Sequence, residues 1–345
     1  MPGRSQRRRA LTKLILKRLA MLPLSVIVVV TGSFLLIGLM PGDPAVSLAG
    51  PYPSEERVAA IRDQLGLDHS FAERYFTYLN HLVHFDLGNS FFTGVPVTNE
   101  LGRFLPATVE LLIFSFVIAA VLGIAIGTWS AYRATRWGGK VGRALTNLLQ
   151  SIPDFLLGLV LIYLIFYRFH LAPAPVGRVS LLENPPQHIT GLFTLDSLLH
   201  GSLSGFWSAL RHLALPSLAV GLVYSSYFAR ITNGTMMEAL SSTQVEYARA
   251  CGLSEWRVLR YAFLVARAPV ITYGAILFGA LVGGVAIVET VFAWPGAGQW
   301  ALTAILRLDI PVIQGFIVML GVLTVVIYLL LDVVVALLDP RVSYE

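Results

Sequence analysis

Charge is what this sequence has least of. Asp, Glu, Lys and Arg supply 13% of the residues, where a soluble domain carries about 25%. Set against a hydrophobic content of 56%, that shortage excludes an ordinary soluble globular class. Cysteine is almost missing as well. Cys251 stands alone, which excludes an intrachain disulfide framework, and it makes no metal cluster by itself; it reads as an incidental small residue. No G-x-x-x-x-G-K-[ST] occurs, so the chain brings no phosphate loop of its own. No H-E-x-x-H and no G-x-S-x-G occur either, which removes the usual support for an intramembrane hydrolase.

The net charge of +5 would suit nucleic acid only if the basic residues clustered on a soluble surface. Instead, Arg4, Arg7, Arg8, Arg9, Lys13, Lys17 and Arg18 all precede the first apolar run. That arm resembles a signal-peptide n-region, but the run behind it is too long and lacks an A-x-A site. It reads as an uncleaved anchor whose basic arm sets topology and touches anionic lipid; nucleic acid is not an expected partner.

A membrane span needs about 20 mostly apolar residues, and six such runs are present: Leu19–Met40, Ala107–Tyr132, Leu145–Tyr167, Leu213–Asn233, Val270–Val291 and Val312–Leu338. Orientation follows from Lys and Arg in the short links. With the N-terminus inside, seventeen of the 25 basic residues face the cytoplasm, while residues 41–104 hold four Arg against eight acids. The expected fold is an all-α polytopic membrane protein with six transmembrane helices, both termini cytoplasmic, and a sizeable extracytoplasmic block between helices 1 and 2. We divide it into a basic arm (1–18), the first span with its outer block (19–106) and a transmembrane core (107–345).

In the outer block, Ser54 is placed to cap a helix reaching Leu67, with Val58, Ile61 and Leu65 on one stripe. A second helix is expected over Phe71–His84, its apolar side formed by Tyr75, Phe76, Leu79 and Leu82. Both should lie against the outer face of the bundle. Residues 168–211 form a second polar block rich in Pro and Gly, with Trp207 and a short helix near its end.

The charged exception is 243–267, between the fourth and fifth runs. Thr243-x-x-Glu246 has the form of a capping box. Gly252 is placed as a left-handed helix terminator, and Ser254 caps a second helix on which Trp256, Leu259, Phe263 and Ala266 share a face. Val245 and Tyr247 are expected to be exposed on the short helix. The product is helix, glycine turn, helix; it reads either as a capped surface loop or as a docking surface for a partner.

Other residues carry open alternatives. Asp154 is the only acid well inside an apolar run; such an acid is a functional candidate by default. Beside Pro153, which should kink the helix, it could bond freed backbone groups, line a pathway or relay protons. Gly283 and Gly284, in GALVGGV (Gly279–Val285), allow close helix packing or a gate wall. Glu110 and Glu289 fall near span ends, where solvated or snorkelling positions are expected. Trp294, in the WPGAG turn, is expected in the aromatic belt. His81 and His84 are spaced as a helical metal pair without a third ligand, so no metal site is expected.

Glu246-Tyr247-Ala248-x-x-x-Gly252 resembles the E-A-A-x-x-x-G motif of permease subunits of binding-protein-dependent ABC importers. Tyr247 departs from the motif's usual Ala. LMPGDPA (Leu39–Ala45), DLGNS (Asp86–Ser90), LPATVEL (Leu105–Leu111), SIPDFLLG (Ser151–Gly158), VETVFAWPGAG (Val288–Gly298) and LLDPRV (Leu337–Val342) resemble landmarks of the dipeptide, oligopeptide and nickel subfamily, in the right order from about residue 14 onward. The resemblance implies a bacterial inner-membrane, non-enzymatic transport subunit, most readily for di- or oligopeptides. It implies ATPase coupling through Glu246, Tyr247, Ala248, Arg249 and Gly252. Pro153, Asp154, Gly283, Gly284 and Trp294 are pathway or gate candidates. The partners implied are a second permease, two ATPase subunits that bind ATP and Mg, and an extracytoplasmic substrate-binding protein. The rival reading is a proton-coupled secondary transporter centred on Asp154, for which no inverted repeat is visible.

Overall fold

The computed structural model describes residues 4–39, 42–50, 52–180 and 185–338, with side chains from Ala20 onward except at 331, 332 and 334–338. The basic arm's side chains, Met40, Pro41 and the Asp339–Val342 part of the C-terminal landmark lie outside that description. Among the described residues the only regular structure is helical: α1 (Arg4–Gly38), α2 (Pro44–Ala49), α3 (Glu55–Gln64), α4 (Phe71–Val83), α5 (Val97–Tyr132), α6 (Trp137–Ser151), α7 (Asp154–Leu161, continued by a π-helical segment Ile162–Arg168), α8 (Phe193–Leu199), α9 (Leu203–Leu240), α10 (Thr243–Ala250), α11 (Glu255–Val291), α12 (Ala297–Arg307) and α13 (Ile310–Leu338). Among the described residues, five helices are long and apolar enough to cross a membrane, or six if the bent pair α6 and α7 counts as one span.

The third apolar run is therefore broken rather than kinked. α6 and the α7 segment meet at 100°. The cause is local: Pro153 has no N–H to continue the ladder and holds Ile152 extended at φ −97°, ψ 124°. The helix restarts when the Leu157 N–H reaches the Pro153 carbonyl at 3.0 Å.

Other spans run longer than their apolar cores. α5 starts ten residues before Ala107 and passes Pro106; α11 is continuous through Pro269, so the charged stretch and the fifth span are one rod. The short helix expected near the end of the second polar block is α8; α9 starts at Leu203, where Ser202 Oγ accepts from the Gly205 N–H at 3.2 Å, and it includes Trp207.

The most extensive helix interface joins α5 to α9. Small residues make it: a Cβ at Gly123, Gly127 or Gly221 would strike Phe228 and the Ser225 carbonyl, Thr232 and the Ala229 carbonyl, or Ile118 respectively. Close backbone approach of this kind supplies packing where lipid gives no hydrophobic drive. In GALVGGV, Gly279 packs on the Tyr328 hydroxyl, whereas Gly283 faces open space.

Between the first two apolar runs, α4 docks on α1 through aromatic contacts. Phe34 meets Phe71, Tyr75 and Tyr78 at 5.1, 5.2 and 5.7 Å, and Thr31 bonds the Tyr75 hydroxyl at 2.7 Å. Phe76, expected on the same side, is exposed. α3 has no buried residue, and its Arg62 ties it to Asp43 at 2.7 Å. Ser90 donates to Asp309, whose other oxygen accepts from the Phe91 N–H at 3.0 Å, pinning the 86–96 loop to the α12–α13 corner.

Candidate functional site

The link between α9 and α11 is built as the motif spacing suggests, but by different bonds. Ser242, not Thr243, occupies the N-cap of α10, and its hydroxyl donates backward to the Ala239 carbonyl at 2.7 Å. The capping box is therefore absent, and Ser254 stands at the next N-cap without a side-chain cap bond. The glycine turn is real: Gly252 takes φ +74°, with its N–H on the Arg249 carbonyl at 2.9 Å and the Leu253 N–H on Ala248 at 3.3 Å. Only glycine occupies that region without steric cost.

Packing, not capping, holds α10 in place. Val245 is buried in a cluster with Ala131, Met236, Ala239, Val258, Ala262 and Ala266, and Ala248 is buried as well. Val245 thus turns inward, against the expectation of exposure, because burying its side chain is worth about 1.5–3 kcal/mol. The seated face of α11 is Val258, Ala262 and Ala266; Trp256, assigned to that face from the spacing, is instead 76% exposed. What remains outward is Glu246, Tyr247 at 72% exposure, Arg249, Cys251 and Gly252. Arg249 and Glu255 approach to 3.8 Å across the turn.

Of the pathway candidates, the structure brings two together. A Cβ on Gly284 would stand 3.3 Å from the Tyr224 hydroxyl and 3.9 Å from Asp154 Oδ2. Asp154 is half-buried at the break of the third span, and its Oδ1 accepts from the Phe155 N–H at 2.8 Å. Pro153 is exposed beside it.

Trp294 is elsewhere and is no belt residue. It is buried, and its Nε1 donates to the Ala107 carbonyl at 2.9 Å. It belongs to a polar knot that sequence reading missed. Glu110 and Glu289, expected at solvated positions, are both buried. Arg178 donates to Glu110 Oε2 at 2.6 Å, and Thr194 donates to Oε1 through its N–H at 2.8 Å and its hydroxyl at 2.6 Å. The Arg178 guanidinium also lies 3.7 Å over the Phe193 ring. Burial pushes that guanidinium below its ordinary range, and Glu110 pulls it partly back. Glu289 accepts from Thr108 and from the Gln299 N–H at 2.9 Å, while the Ala297 N–H donates to Thr108 at 2.8 Å. The glycines of WPGAG make room for this carboxylate: a Cβ at Gly296 or Gly298 would collide with it. The available signal was chemical, since an acid inside a span demands a partner, and Arg178 is one of two cations in 169–211.

His81 is bonded to Asp86 and His84 to the Asn80 carbonyl. Among the described residues, no group of three His, Cys, Asp or Glu side chains could hold a metal ion.

Residues 123–344 match the family described as binding-protein-dependent transport system inner membrane component, and residues 11–112 match its N-terminal membrane component. A probable D,D-dipeptide transport system permease protein of Escherichia coli is 40% identical over 312 residues, covering 90% of this chain and 92% of the relative. A putative peptide transport system permease protein of Brucella abortus is 36% identical over 97% of this chain and all of its own length. A dipeptide transport system permease protein of Escherichia coli is 32% identical over 96% and 98%.

Proposed function

The chain belongs to the family of inner-membrane components of binding-protein-dependent transport systems, and from that premise we propose that it forms the translocation pathway of an ATP-driven importer of di- or oligopeptides. Membership makes it a multi-pass inner-membrane transport subunit. The peptide cargo is taken from the names of its relatives, which span nearly its whole length. The rival reading as a proton-coupled carrier finds no support in that membership.

The observation that carries the coupling half is the 243–252 link. A short helix is seated through Val245 and Ala248, presents Glu246, Tyr247 and Arg249 outward, and ends at a positive-φ glycine that feeds a 37-residue helix. A partner pressing on that outward face would move the whole rod. In this reading Ala248 seats the helix, Gly252 sets its angle, and the exposed residues meet a cytosolic ATPase. Both termini and residues 243–267 lie in the cytoplasm, in accord with the Lys and Arg distribution. The core is 107–345, with 19–106 as the first span and outer block behind the 1–18 arm. The partners are two ATPase subunits that bind ATP and Mg, a second permease, and an outer binding protein. Pro153, Asp154, Gly283 and Gly284 line the pathway; Trp294 is part of the outer knot that frames it.

Affinity purification from solubilised membranes tests the coupling half. The wild-type chain should bring the ATPase with it. Tyr247→Ala combined with Glu246→Ala should lose the ATPase while keeping the second permease. Retention of the ATPase by that variant would contradict the assignment.

A further inference from the structure

Three acids of the apolar helices, Glu110, Asp154 and Glu289, are buried or half-buried, and two of them are answered. Glu110 has Arg178 and Thr194; Glu289 has Thr108 and the Gln299 N–H. Asp154 differs. Its hydrogen bonding is with the local backbone, chiefly from the Phe155 N–H to Oδ1, and no cation or hydroxyl among the described residues bonds it. Yet it is only half-buried. A carboxylate in that state is too costly against lipid, so it faces water or a polar visitor.

Its surroundings say which visitor. Oδ2 and the Tyr224 hydroxyl both lie within 4 Å of where a Gly284 Cβ would stand, so the missing side chain leaves the acid open. Tyr224 borders it from α9, and the Tyr227 ring lies 5.8 Å from the Tyr224 ring. An ionised carboxylate offers only acceptors, and aromatic faces attract cations. Position matters as well: Asp154 begins the segment after the 100° break, where the span's backbone is already interrupted.

We propose that Asp154, opened by Gly284 and flanked by Tyr224, receives the α-ammonium group of the peptide during passage. This rests on the peptide-importer reading and deepens it. A pathway serving peptides of varied side chain can read only what they share, and the α-ammonium is the cationic one of those common features. No covalent step is involved; one charge-assisted hydrogen bond forms and is released.

The test uses the assembled complex in liposomes, with the binding protein saturated with cargo and ATP inside. Asp154→Asn should slow uptake of a free-amine dipeptide about tenfold, the loss expected for one hydrogen bond to a charged group. Asp154→Glu should recover most of it, and uptake of the N-acetylated dipeptide should change little between wild type and Asn. Equal slowing of both cargos, or no slowing of either, would overturn the assignment. A second measurement does not depend on the receptor's taste. Asp154→Cys should regain uptake after reaction with an anionic sulfonatoethyl thiosulfonate but not with its trimethylammonium counterpart. Unsubstituted protein, treated in parallel, accounts for the exposed Cys251. Recovery with both reagents or with neither would also overturn it. If the wild-type complex moved no dipeptide at all, the cargo reading itself would fall, and this assignment with it.

Discussion

Glu110 and Arg178, 68 residues apart in sequence, form a buried ion pair at 2.6 Å. The pair fastens the segment around Arg178 to α5. Removing one partner should therefore be worse than removing both. Arg178→Met should cost about 3–5 kcal/mol by stranding Glu110, while Glu110→Leu with Arg178→Met should recover a large part. Thermal unfolding of the detergent-solubilised protein distinguishes the cases. A double variant no better than the single one would show that the pair is not energetically coupled.

Gly252 holds φ +74° in the open, with nothing within 4 Å of a built Cβ. A substitution there meets backbone strain and no clash. Gly252→Val should cost about 1–2 kcal/mol locally and tilt α10 away from its seat. The expected result is normal membrane insertion with ATP-driven uptake largely lost, read by immunoblot and transport assay side by side. Full uptake would dissociate the turn from coupling.

The α5–α9 seam should tolerate little. Gly221→Leu must displace Ile118 and the Ser115 carbonyl, and overpacking of this kind costs about 1–3 kcal/mol or more. By contrast, Gly234→Ala on the same α9 meets nothing within 4 Å and should stabilise the helix by about 0.5–1 kcal/mol. Yield of monodisperse protein should fall for the first and hold or rise for the second.

These contrasts show what was legible. Apolar runs gave the spans, because hydropathy is a property of each segment alone. The glycine turn was legible for the same reason: Gly252 answers a local geometric need. What was not legible depended on distant partners. Glu110 and Glu289 looked solvated because Arg178 lies 68 residues from Glu110 and Thr108 lies 181 residues from Glu289. Trp294 looked like a belt residue because its acceptor is the Ala107 carbonyl, 187 residues away. The capping box failed at close range, since Ser242 outcompeted Thr243 for the N-cap and then turned its hydroxyl back on α9. Trp256 and Val245 exchanged exposure because the α9–α10 corner, not helical period alone, chose the buried face.

Asp196 gives a pH signature in α8. Burial raises its pKa, but hydrogen bonds from the Thr190 hydroxyl and the N–H groups of Thr190, Ile189 and Gly191 outweigh that and hold it below the ordinary carboxylate value. A depressed folded-state pKa contributes stability above the unfolded value, about 3.9, and loses it as pH falls through the folded value. Hydrogen exchange at 189–196 should accelerate in that acid window, and Asp196→Asn should show the faster exchange already at neutral pH. Slow exchange in the variant would mean that the loop is held by other contacts.

The most direct measurement is uptake of a labelled dipeptide into liposomes holding the complete complex, with the energy source switched. Uptake should require ATP and Mg on the ATPase side and persist when the proton gradient is collapsed. Uptake driven by a proton gradient without ATP would contradict the account and return Asp154 to the centre of a carrier mechanism.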